Sequence, residues 1–170
     1  MAIHQDHAAP LPRLVPVTAS TAWVDRYMRV PFRDAGRAWD GADCLGLYLL
    51  VLATERGVAL PDHDVSYGRD ALAVVGRVEA EIASGAWRLV AAGDGAAVKR
   101  QGRAFDAVRM TGHVRLPSGE LVRGDVHIGV VVGDGRVLHT EPSTGPHVLA
   151  LDDPRIAKRV KGIYRPAVLW

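Results

Sequence analysis

The chain has 170 residues, enough for one domain with a substantial core, and its 21 basic and 19 acidic side chains leave a formal charge of only +2. There is no block of like charge and no basic stretch interleaved with aromatics, which argues against nucleic acid as a partner. A single cysteine excludes an intrachain disulfide framework and paired-CxxC zinc ribbons, and the longest apolar run, 45–53, is too short to span a membrane, so no membrane insertion is expected. The N-terminus lacks a basic region followed by an apolar core, so no secretory signal peptide is expected either.

Residues 1–19 carry Pro10, Pro12 and Pro16 without a helical period and read as an extended arm lying on the domain or on a neighbour, with 20–170 as a single domain. Ser20 or Thr21 is placed to cap a short helix through Trp23, Tyr27 and Met28, which Pro31 ends. A loop from Phe32 to Ala42 follows, with Gly36 among Arg33, Asp34 and Arg37, a composition that suits chain shaped around a site. Asp43 is a good N-cap for a helix from Cys44 to about Arg56, apolar on nearly all sides and closed by Gly57, and this should be the central buried helix. Cys44 then falls in the first turn, where unpaired N–H groups and the positive end of the helix dipole favour a thiolate. A lone cysteine is also a common core residue, so the thiol needs a chemical partner before it means more.

From Asp70 to Ser84, Leu72, Val75, Val78 and Ile82 recur at helical spacing, with Arg77, Glu79 and Glu81 towards solvent and Gly85 after the end. Between Trp87 and Arg103 the period weakens, and only a turn at Gly93-Asp94-Gly95 is marked. From Phe105 the period becomes two, with strands expected at 105–110, 113–116, 120–123, 126–132, 136–141, 147–151 and 160–165. Pro117-Ser118-Gly119 and Gly133-Asp134-Gly135 read as hairpin turns, and Asp152-Asp153-Pro154 as the opening of a short helix. Helices first and antiparallel strands afterwards predict an α+β fold with the N-terminal helices packed on a C-terminal sheet.

A thiol nucleophile needs a base, and the base needs a group to orient it. Of seven histidines, His4 and His7 fall in the arm, His63 in a loop, and His113 and His147 at strand starts, where they read as surface residues. His127 and His139 flank one hairpin. If Gly133-Asp134-Gly135 is a three-residue loop, Val132 pairs with Arg136, Gly129 faces His139, His127 faces Glu141, and the two histidines become diagonal neighbours on one face. A two-residue turn at Asp134-Gly135 pairs His139 with Val130 and sends the histidines to opposite faces. Glu141 falls on the same face in the first register and is an alternative orienter. Zinc held by Cys44, His127 and His139 is chemically conceivable, but no ligand pair has a close motif spacing, and the expectation is no metal and no cofactor.

Asp43-Cys44-Leu45-Gly46-Leu47, with His127-Ile128-Gly129-Val130-Val131 and Val137-Leu138-His139, resembles the NlpC/P60 family of papain-like cysteine peptidases. The resemblance implies Cys44 as nucleophile, His127 as general base and His139 as orienter, acting without a metal on amide bonds of peptidoglycan stem peptides. Three stretches look like the branch found in bacteriophage tails and gene transfer particles: 41–47, Phe105-Asp106-Ala107-Val108-Arg109-Met110, and Val160-Lys161-Gly162-Ile163-Tyr164-Arg165-Pro166. For this chain that implies a place at the tail tip of a virion made in the host cytoplasm, action at the host cell wall, and other tail-tip proteins as partners through the arm. Two positions depart from the family pattern. Phe32 stands where the family usually has a tyrosine whose hydroxyl lies near the reactive centre, and Leu45 replaces a serine that, with the aspartate corresponding to Asp43, is similar to a substrate-amine site in wall-recycling relatives. Asp43, Phe32 and Leu45 are thus the substrate-binding or oxyanion positions to watch, and a structural tail-tip protein that keeps the fold is the competing reading. Extra chain around 85–125 is expected to cover the cleft or dock a partner.

Overall fold

The computed structural model describes residues 22–62, 71–116 and 118–170; the side chains of 71–75, 114 and 115 are not described. The arm, His4, His7, Ser20, Thr21, His63, Asp70 and Pro117 lie outside the described residues. The first helix, α1 (Val24–Tyr27), is a single turn that starts at Trp23 without a side-chain cap. A two-residue ribbon, β1 (Arg37–Ala38) with β2 (Gly41–Ala42), then leads into α2 (Cys44–Arg56). Both ends of α2 follow from local chemistry. The Asp43 carboxylate accepts from the Gly46 N–H, and Gly57 adopts a left-handed φ of 63° while its N–H returns to the Ala53 carbonyl. Leu47, Tyr48, Val51 and Leu52 on this helix are fully buried, as the nearly continuous apolar sequence requires. The helix α3 (Ala71–Ala83) ends ahead of Gly85, at φ 80°. Arg77 and Glu79 are exposed on it, but Glu81, expected towards solvent, is half-buried.

The stretch that the sequence left unassigned forms β3 (Trp87–Ala92) and a one-turn helix α4 (Gly95–Val98), with Asp94 as its cap. Alternation was weak there because β3 is an edge strand whose register slips between Leu89 and Ala91. Four short expected strands are two long ones, β4 (Ala107–Arg115) and β5 (Leu121–Gly133). Between Met110 and Gly112 the register shifts because β5 carries an extra residue at Asp125–Val126, which changes the phase of its alternation and is why the pattern looked interrupted there. The strands β6 (Arg136–Glu141), β7 (Gly145–Ala150) and β8 (Val160–Pro166) complete an antiparallel sheet ordered β3-β8-β4-β5-β6-β7. The expected helix after Asp152 is only a 3-10 turn, at Ala157–Arg159.

The core has two parts. Val24, Tyr27 and the buried side of α2 pack with Val130, Val132 and Leu138, while Val131, Val137, Leu151, Ile156 and Ile163 form a second cluster with Val98 of α4. The chain is therefore α+β, with α2 against β5 and β6. Among the described residues, no helix is long and apolar enough to cross a membrane.

Candidate active site

The β5–β6 hairpin decides whether the two histidines meet. Its turn has two residues, with Asp134 at φ 50° and Gly135 at φ 67°, and Gly133 pairs with Arg136. Val132 therefore does not pair with Arg136 as a three-residue loop would require. A bulge between Val131 and Gly133 shifts the register back, so that Val131 pairs with Val137 and Val130 with Leu138. Continued along the strands, that register sets Gly129 opposite His139 and His127 opposite Glu141. The histidines share a face through a bulge rather than through a longer loop.

His127 Nε2 and His139 Nδ1 are 2.9 Å apart, with the rings at 82° to one another. Gly129 makes room for this pair: a Cβ there would lie 3.2 Å from the His139 Cβ and 2.5 Å from Val137 Cγ2. Both histidines are buried. Burial first, and then the Arg159 charge, push His127 down to about 4 against a carboxylate, Glu141, that pulls the other way. His139 is pushed below its ordinary value by burial and by His127. Glu141 stands 3.9 Å from His127 Nε2 and 4.0 Å from His139 Nδ1, outside bonding reach of either, and is held instead by Arg159 Nη1 at 2.7 Å. Burial alone would raise its carboxyl, but the hydrogen bond and charge of Arg159 outweigh that and leave it lowered.

His147 belongs here as well. It is half-buried rather than a surface residue, pairs with His139 across β6 and β7, and its ring lies 4.1 Å from the His139 ring. Its Nδ1 is 2.9 Å from the Gly145 carbonyl, which can only accept, so that nitrogen carries the proton. The signal was the turn between Glu141 and Gly145, which fixes the β6–β7 register. Arg159 had no sequence signal, since it arrives from the far end of the chain. His113, on β4, is exposed.

Cys44, 4% exposed, opens α2. Immediately before it, Asp43 is fully buried and its carboxylate accepts from Arg37 Nη1 at 2.7 Å, the Gly46 N–H at 2.7 Å and the Ala35 N–H at 3.1 Å. Burial raises its carboxyl, and the Arg37 and Gly46 bonds partly offset that. Asp43 is therefore committed to holding the 33–42 loop on the helix start. Phe32 is half-buried and bridges Ala42, whose N–H donates to the Pro31 carbonyl at 3.0 Å. Leu45 lines a cleft of about 290 Å³ with Leu49, Val78, Ile82, Trp87 and Ile128, and His127 borders the same cleft. The residue next to the thiol and the candidate base thus open onto one largely apolar space.

His127, His139 and Glu141 place ligand atoms within 4.8 Å of one another, a spacing a metal ion could use. The two ring nitrogens already satisfy each other and Arg159 occupies the carboxylate, so the residues present are better matched to a hydrogen-bonded pair than to a cation.

The fold and the site define an α+β protein with a thiol at a helix start, a cleft beside it and a buried histidine pair on neighbouring strands. No family model matches the chain, and no curated protein matches it. Among solved structures it is similar to the crystal structure of the NlpC/p60 domain of the peptidoglycan hydrolase SagA, at 16% identity and a TM-score of 0.48, over 87% of this chain and 97% of that one.

Proposed function

We propose that this protein is a cysteine peptidase that hydrolyses an amide bond in peptidoglycan stem peptides, working at the tip of a phage-like tail during entry through the cell wall. The observation that carries the reading is the His127–His139 pair at 2.9 Å, with His127 bordering the cleft that Leu45, the residue after Cys44, also lines. In this reading His139 engages His127 Nε2 and leaves Nδ1 to take the Cys44 proton. The thiolate attacks the amide carbonyl, His127 returns the proton to the leaving amine as the C–N bond breaks, and water releases the resulting thioester. The Cys44 backbone N–H at the start of α2 is the candidate oxyanion donor, since Phe32 has no hydroxyl to offer. The arm, residues 1–19, serves as the contact to other tail-tip proteins, and virion assembly follows synthesis in the host cytoplasm.

The competing reading is an assembly protein of the tail tip with weak or no activity. Phe32 and the apolar Leu45 favour it, because both remove polar groups from beside the thiol. Purified protein incubated with peptidoglycan separates the two: new amine ends are expected, and none with Cys44→Ala. No cleavage, in a sample whose Cys44 reacts with iodoacetamide no faster than an ordinary thiol, would sink the enzyme reading.

A further inference from the structure

A bulge on β5 interrupts its ladder with β4 at Thr111. Met110 pairs with His127 and Gly112 with Gly124, so Thr111 alone stands opposite Asp125 and Val126 of β5, the strand that carries the extra residue, and on the other side the pairing with β8 also shifts, after Arg109. The Thr111 carbonyl accepts instead from Arg159 Nε at 3.0 Å, just ahead of β8. The same guanidinium reaches Glu141 through Nη1 at 2.7 Å. Arg159 is therefore gripped at two points, one on the backbone of the strand beside His127 and one on the carboxylate next to the histidine pair.

We propose that Arg159 is a positioning residue: braced on the Thr111 carbonyl, it holds the Glu141 carboxylate at the edge of the His127–His139 pair, near enough to act on its charge and too far to bond either ring. The proposal rests on the peptidase reading for its use, which is to keep His127 able to accept a proton. A carboxylate about 4 Å from a ring nitrogen and not tied elsewhere would swing in, compete with His139 for Nε2 and hold His127 as an imidazolium. Tied to Arg159, it presents an ion pair with no net charge. Besides Arg159 and Glu141, the ionisable group among the described residues that acts on the pair is His147 from β7, whose ring lies against that of His139. On the cleft side Arg109 is already paired with Glu79 and Asp125.

The test is an NMR titration of the histidine rings in the Cys44→Ala chain. Arg159→Met should raise the His127 midpoint by about one pH unit or more, the usual effect of an opposite charge within a few ångströms. Glu141→Gln should lower it or leave no rise, and the exposed His113 should not move. Opposite responses to two substitutions in one ion pair are not what a merely structural role produces. Midpoints that move the same way in both variants, or a shift in His113 as large as in His127, overturn the proposal. If Arg159→Met does not fold, Glu141→Gln carries the test alone, and a raised midpoint overturns it. The expected titrations in a protein that cleaves no peptidoglycan keep the brace and remove the peptidase reading; cleavage without the titration shifts does the reverse.

Discussion

The Gly36 carbonyl rests directly on Gly46 of α2, where a Cβ would lie 1.9 Å from the oxygen. This contact seats the 33–42 loop on the first turn of the cysteine helix. Gly46→Ala should therefore destabilise the protein by roughly 2–3 kcal/mol, as overpacking against backbone does. Gly76→Ala is the control, since a Cβ there meets nothing within 4 Å; in α3 it should be neutral or stabilising by up to about 1 kcal/mol. Denaturant unfolding of the two variants gives the comparison.

Arg37 and Asp43 form a largely buried ion pair, with side-chain exposures of 18% and 0%. Removing only the cation leaves a buried carboxylate with two backbone donors, so Arg37→Met should cost on the order of 3 kcal/mol. Arg37→Met with Asp43→Asn should recover part of that loss. A double variant no more stable than the single one would show that the pair is not coupled in this way.

His139 reaches the proposed chemistry only through His127. On the peptidase reading, His139→Ala should lower kcat/KM on wall fragments by roughly 10- to 100-fold, with partial rescue by a hydrogen-bonding replacement such as His139→Gln. Gly129→Val should mimic the loss by driving a side chain into the His139 Cβ and Val137. Activity unaffected by either substitution would remove His139 from the mechanism.

Histidines buried in the neutral form make the fold sensitive to acid. His127 titrates at about 4 in the folded protein against 6.5 for an ordinary histidine, so below that ordinary value the unfolded chain binds a proton that the folded chain refuses. Stability is fully present above about pH 6.5 and is lost as the pH falls towards 4, with His139 extending the loss in the same direction. The melting temperature should drop by on the order of 5 °C between pH 7 and pH 4.5 beyond what carboxylate protonation contributes. The His127→Gln, His139→Gln double variant should flatten that segment of the curve.

Several features were readable residue by residue. Asp43 and Gly57 bracket α2 as expected, because capping is a short-range hydrogen-bond requirement that the chain satisfies locally. Glu141 and the two histidines fell on one face as the first register proposed, although the reason differed: the turn is two residues long and a bulge corrects the register. A bulge leaves no composition signal of its own, and the same blindness split β4 and β5 into four strands.

The sequence by itself determined the elements whose bonds close within a few residues: the cysteine at a capped helix start, the hairpins, and an α+β order of helices then strands. Tertiary structure alone decided what surrounds the histidines. β8, from the end of the chain, lies between β3 and β4, and this brings Arg159 to Thr111 and Glu141. The β8–β4 pairing joins strands distant in sequence and is offset by a bulge, settled by which faces bury together rather than by any local preference, and so it became visible only in the folded chain.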